Sequence, residues 1–259
     1  MQNEIGSIYV KPDFLGQIYS TGSVEQRTIY IHGKSRIVRA YAATSDRVAS
    51  FTIYAPVSRS EGTVHAFDQL ELKNPQLVAI PNTVGTGRDR NKYLEYVVLV
   101  DGASLSNHTN ENEVQANTDE SLGQRLLGLK FKGGDVTAVI DIDQTFGKFL
   151  YLGHEPVFKY DEETDARTEE LIGYEVIVIS SQTKKPYKVK FDHVEVDFTA
   201  LRLRDEVVLV HPTFRFYQDS SSTTQGSTIS IGAAHVKRVK RTTALKGKAA
   251  QSPQTGAQD

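Results

Sequence analysis

Asp141-Ile142-Asp143 sets two carboxylates two residues apart. On a strand that spacing points both to one face, the arrangement in which nucleases hold a divalent cation. A metal site needs further ligands, and none stands at a suitable spacing. The seven histidines (His32, His65, His108, His154, His193, His211 and His235) are scattered, with no i, i+4 pair. Asp161, Glu163 and Asp165 alternate as in a calcium loop, but the turn glycine and closing bidentate Glu are missing. Gly85-Thr86-Gly87-Arg88 lacks the strand, helix and later acid of a dinucleotide site and reads as a hairpin tip. Ser181-x-x-Lys184 has acyl-transfer spacing without partners. With no cysteine there is no disulfide, thiolate ligand or thiol nucleophile. The expectation is a protein without cofactor or metal that binds rather than catalyses.

Cations interleaved with aromatics are the stronger pattern. A strand that holds single-stranded nucleic acid needs positive charge along the phosphates and aromatic faces for the bases. Alternation sends Lys188 and Lys190 opposite Tyr187, Val189 and Phe191. It likewise sets Arg202 and Arg204 opposite Leu201 and Leu203, and Arg215 opposite Phe214 and Phe216, with Tyr217 beside them. Lys184 and Lys185 occupy the preceding turn. In the first half Arg36 and Arg39 accompany Tyr41, and Arg88, Arg90 and Lys92 precede Tyr93. Lys237, Arg238, Lys240, Arg241, Lys246 and Lys248 form a run without an acid, which would add salt-sensitive affinity for phosphates. Asp192, Glu195 and Asp197 follow the lysine stripe and oppose it. The net charge of −2 excludes a protein that coats nucleic acid by bulk charge.

Strands must position these residues. Phe51 to Ala55, Tyr187 to Phe191 and Val194 to Phe198 alternate apolar and polar. Tyr96 to Val100, Val176 to Ile179 and Val207 to Val210 are short apolar runs that read as buried strands. The one short helix candidate is Ser121 to Leu129. The halves share landmarks in one order: Gly16 and Gly147, the strands at Phe51 and Tyr187, Asn74-Pro75 and His211-Pro212, and closing strands at Val97 to Val100 and Ile229 to Ile231. This reads as a tandem duplication. The expected fold is all-β: two small antiparallel domains, OB-like barrels or sandwiches, that hide their strand edges. Their spans are 1–103 and 128–241, joined by an acidic polar linker at 104–127 and followed by a disordered tail at 242–259. Residues before the two prolines are expected to be extended. The first residues carry neither a basic nor an apolar signal region. No run approaches the length of a spanning helix. A cytoplasmic location without membrane contact is expected, and the Asn107-His108-Thr109 sequon reads as chance.

Phe146-Gly147, the acidic loop Asp161 to Asp165, Tyr174 to Ile179, Ser180 to Thr183 and Asp205 to Pro212 follow one another in the second half. Gly16, Tyr41, Thr44-Ser45-Asp46 and Leu70 to Pro75 follow in the first. This order resembles a family of small proteins encoded on conjugative transposons and integrative conjugative elements, present here as two tandem copies. His211 departs from the Asn-Pro ending that Asn74-Pro75 keeps. The resemblance implies a DNA-associated accessory protein that supports a helicase or relaxosome. Two modules on one chain would then raise effective concentration on a single strand. The alternative is a protein-interaction or structural module of a phage or conjugation apparatus.

Overall fold

The computed structural model describes residues 7–11, 13–31, 34–57, 64–84, 91–105, 126–127, 129–164, 166–191, 197–218 and 227–239. Among the described residues strand accounts for 66% and helix for 5%, so the fold is all-β, with two sheets, one curled into a half-barrel. The first sheet comprises β1 (Ile8–Tyr9), β2 (Ile18–Ile31), β3 (Lys34–Ser45), β4 (Val48–Pro56), β5 (Ala66–Lys73), β6 (Gln76–Val84), β7 (Asn91–Leu99) and β8 (Gly102–Leu105). It also takes β9 (Leu126–Leu127), which pairs with β4. A short helix α1 (Ile142–Phe146) precedes the second sheet. That sheet holds β10 (Phe149–Tyr160), β11 (Arg167–Ser180), β12 (Pro186–Phe191), β13 (Glu206–Val210), β14 (Thr213–Gln218), β15 (Ser227–Gly232) and β16 (His235–Arg238).

The strand orders are β1-β6-β7-β4-β3-β2-β5-β8 and β14-β15-β12-β11-β10-β13-β16. Apart from β1 and β9 they are one topology written twice, down to the single parallel pair on each path, β4 with β7 and β12 with β15. Local devices repeat as well. Buried Ser45 ends β3, and its Oγ accepts from the Arg47 and Val48 N–H groups at 3.1 and 2.9 Å. Buried Ser180 ends β11, and its Oγ accepts from the Gln182 and Thr183 N–H groups at 3.2 and 3.0 Å. Gly16 and Gly147 both have positive φ, and a Cβ on either would collide with the side chain opposite, Asp46 or Ser181. Those same side chains accept from the Gln17 and Lys148 N–H groups. The turns into β5 and β13 are each closed by a carboxylate, with His65 N–H donating to Asp68 and Arg202 N–H to Asp205.

Asn74 and His211 are not extended. Both have φ near 50°, because each turns the chain in a short connection between strands that follow one another in sequence but do not pair, β5 to β6 and β13 to β14, and Asn and His tolerate the left-handed region better than most residues. Leu126 and Leu127 are strand rather than helix, since pairing with β4 satisfies their backbone. Asp141 and Asp143 are not on a strand. Asp141 is the N-cap of α1, its carboxylate accepting from Gln144 N–H at 2.9 Å. Asp197 and Phe198 lie outside any strand, and the rest of the expected Val194 strand lies outside the described residues. Ser104 and Leu105 belong to β8.

The two sheets share one core. A single buried cluster runs from Ile8, Tyr41 and Ile53 through Val136 and Phe146 to Val189, Phe214 and Ile231. The copies meet reciprocally: β7 touches β14, and β6 touches β15. β14 and β15 are the equivalents of β6 and β7, so the contact has the form of a two-fold dimer interface within one chain. Near this contact Val10 bridges Ile140 antiparallel, with Lys11 N–H donating to the Val139 carbonyl and Asp141 N–H to that of Tyr9. Tyr96 packs on Phe131 and Phe216, ring centroids 4.8 and 6.4 Å away. Among the described residues no helix is long and apolar enough to cross a membrane.

Candidate nucleic-acid interface

Pleating decides which side chains share a face. On β12, Tyr187, Val189 and Phe191 enter the core, leaving Lys188 and Lys190 on the outer face. On β14, buried Phe214 and Phe216 likewise leave Arg215 and Tyr217 outward, Tyr217 being 43% exposed. β15 runs between these strands. Its Ile229 and Ile231 are buried, which turns Ser230 and Gly232 to the outer face, whereas Thr228 on that side is itself buried and donates to the Tyr217 carbonyl. The registers Arg215↔Ser230 and Tyr217↔Thr228 fix one side, and Lys190↔Gly232 fixes the other.

The result is a trough. Its open floor is Ser230 and Gly232 on β15; Lys188 and Lys190 line one side, and Thr213, level with Lys190 across Gly232, precedes Arg215 and Tyr217 on the other. Two strand spacings separate the walls, about 10 Å. Gly232 has no room for a larger side chain, since a Cβ would lie 2.7 Å from Thr213 Oγ1. At the Pro186 end of β12 the turn carries exposed Lys184 and Lys185, which extend the cationic wall.

Charge along the trough is uneven. Lys188 Nζ donates to Glu175 at 2.7 Å and lies 3.4 Å from Glu155. The Glu175 hydrogen bond raises the Lys188 pKa above its ordinary value. Lys190 is exposed and forms no ion pair with any described residue. Arg215 has a loose contact with Asp135, 3.8 Å away. Asp135 itself is held below the usual carboxylate range chiefly by hydrogen bonds from Thr137.

Other expected residues lie elsewhere. Arg202 and Arg204 are not on a strand opposite Leu201 and Leu203. They occupy the turn before β13, where Arg204 has positive φ and Leu203 is 68% exposed. The Asp205 hydrogen bond closes this turn, which breaks the alternation. Lys237 and Arg238 form part of the edge strand β16. There Arg238 pairs with largely buried Asp205 at 2.9 Å. In the first copy Tyr41 is 1% exposed and belongs to the core, so no base can stack on it. Lys34 and Arg36 are exposed on β3, and Arg39 is half-buried there. Lys92 falls on β7, whereas Arg88, Arg90, Lys240 and Arg241 lie outside the described residues.

No family model and no curated protein matches the chain. The trough therefore stands on its own geometry. Its floor carries no sequence signal of charge or ring, since it is Ser230 and Gly232. Their alternation with Ile229 and Ile231 was the available signal. The Asp141 and Asp143 carboxylates, with Lys11, Lys148 and Glu206, line a separate cavity of about 500 Å³ below β13. Among the described residues no three metal-ligating side chains gather there or anywhere else.

Proposed function

We propose that the chain is a non-enzymatic DNA-binding accessory protein that holds a single strand along the trough on β15. The observation that carries this reading is one outer sheet face that has exposed Lys190, which forms no ion pair with any described residue, on one side of Gly232 and Ser230, and Arg215 and Tyr217 on the other side, further along the strands. Phosphates would follow Lys184, Lys185, Lys190 and Arg215, and a base would stack on Tyr217. The resemblance to conjugative-element proteins supports a place beside a helicase or relaxosome.

Anisotropy of labelled single-stranded and duplex oligonucleotides at about 50 and 200 mM salt tests it. Four phosphate contacts on a single strand predict roughly a 50-fold loss over that range. Tyr217→Ala is expected to weaken binding by about 1–3 kcal/mol. Absence of binding to either oligonucleotide would refute the proposal.

A second reading, a protein-interaction module, is favoured by one observation. Phe67, at the start of β5, and Leu203, in the turn before β13, are each 68% exposed. Affinity through such apolar anchors would be nearly independent of salt.

A further inference from the structure

The strand registers align the two copies residue by residue along the trough. Pro75 and Pro212 follow equivalent left-handed residues, which aligns Val78 with Arg215 and Ile80 with Tyr217. The parallel registers Tyr54↔Leu99 and Lys190↔Gly232 align Tyr54 with Lys190 and Leu99 with Gly232. Matching backbone bonds confirm that frame, Val100 N–H to the Tyr54 carbonyl and Ala233 N–H to that of Lys190. The antiparallel registers Val78↔Val97 and Arg215↔Ser230 align Val97 with Ser230.

Chemistry at these positions is inverted. Where the second copy has Arg215, Tyr217, Lys190, Ser230 and Gly232, the first has Val78, Ile80, Tyr54, Val97 and Leu99. Val78, Val97 and Tyr54 are only 2%, 1% and 4% exposed. With Ile29, Val38 and Ala40 they form a second buried cluster, separate from the core shared by the sheets. Ile80 and Leu99 pack against it. The trough of the first copy is thus filled by apolar side chains. Arg27, which pairs with Glu25, hydrogen-bonds the Tyr54 side chain at the cluster's margin.

We infer that the chain carries one strand-binding site, in its second copy, and that the first copy has exchanged the equivalent site for a small core that braces its partner. This rests on the reading of the trough given above and reverses the expectation of two cooperating modules. Duplication here does not supply bivalency. The reciprocal contact of β6 and β7 with β15 and β14 lets the first copy support the back of β14 and β15, the strands that form the floor and one wall.

Two measurements on the full chain test this. The first is a stoichiometric titration with short labelled oligodeoxythymidine, well above the dissociation constant. It is expected to saturate at one oligonucleotide per chain. Lys190→Ala with Arg215→Ala should weaken binding by at least tenfold, whereas Lys34→Ala with Arg36→Ala should change it less than twofold. Saturation at two per chain, or equal losses from both pairs, overturns the inference while leaving DNA binding intact. No binding by the wild-type chain overturns the reading of the trough and the inference with it. The second measurement needs no nucleic acid. Val78→Arg places a charge inside the small core and should lower the thermal midpoint by about 10 °C or more. Arg215→Val, on the open face, should shift it by less than about 3 °C. Equal, small shifts would show that the first trough is not a core and would overturn the assignment.

Discussion

Side chains of one type play opposite parts in this protein, and their partners decide which. Lys188 and Lys190 leave the same face of β12, yet Lys188 is held by Glu175 and Glu155 while Lys190 is exposed. A phosphate at Lys188 must compete with two carboxylates already in place. Lys190→Ala is therefore expected to weaken oligonucleotide binding several-fold more than Lys188→Ala, as read by anisotropy at low salt. The Lys188–Glu175 contact also sets a pH dependence. The folded-state pKa of Lys188 is raised, so its contribution to stability is complete below the ordinary value of 10.5 and is lost as pH rises through the raised value. The stability difference between wild type and Glu175→Gln should stay flat from neutral pH to about pH 9 and shrink at higher pH in urea titrations. Ser180 shows what a single buried hydroxyl does for the backbone. Its Oγ accepts two N–H groups of the following turn and donates to the Phe146 carbonyl at 2.6 Å. Ser180→Ala removes all three bonds without room for water at a fully buried position. A loss of about 2–3 kcal/mol in chemical denaturation is expected, and a loss under about 0.5 kcal/mol would refute the role.

Elements were legible where one face is wet and the other dry. The strands at Phe51 and Tyr187 emerge as expected, because alternation is a direct record of which face meets the core, whereas the run at Val207, read as buried, is a strand with Val208 exposed. The duplication was legible for the same reason: Gly16 and Gly147, and the two prolines, mark corners that the topology repeats. What the sequence hid was turn geometry and partner choice. The turn at Leu201 to Asp205 interrupts alternation through one carboxylate hydrogen bond, so Arg202 and Arg204 do not line a face. Tyr41 looked like a base-stacking ring beside arginines, but β3 alternates and its odd-numbered positions from Tyr41 onward face the core. The pairing of β12 with β15 joins segments distant in sequence, so no local pattern revealed that Lys190 and Arg215 lie on one face, on either side of Ser230 and Gly232. The glycine corner gives a prediction at this scale. Gly147→Ala sets a methyl 2.4 Å from Ser181 Oγ at φ of 62°, and Gly16→Ala sets one 1.8 Å from Asp46 Oδ1 at φ of 67°. Each change should cost about 2 kcal/mol or more. Thermal melts of the two variants should show losses of similar size, because the corners are equivalent.

At the scale of the whole molecule, tandem copies joined by a long connection suggest beads on a string, each unfolding alone. The packing argues otherwise. One buried cluster spans both sheets, and its members include Val10 and Leu77 from the first copy and Ile140, Phe214 and Ile231 from the second. Tyr96 of β7 rests on Phe131 and Phe216, so side chains of each copy complete the core of the other. The backbone joins in through the Lys11–Val139 and Tyr9–Asp141 hydrogen bonds. A copy opened by itself would expose the apolar surface that the other covers, at about 25 cal/mol for each Å². Opening both together avoids leaving that surface wet on a folded partner. The two copies should therefore unfold in one cooperative transition, with equal calorimetric and van't Hoff enthalpies. Tyr96→Ala should weaken this coupling before it weakens either sheet, since the ring lies between them. In scanning calorimetry the variant is expected to show a broadened or split transition, whereas the wild type shows a single one. Two separate transitions in the wild-type chain would mean that the shared cluster does not bind the copies into one unit. The first copy would then be a neighbour of the binding sheet rather than its brace.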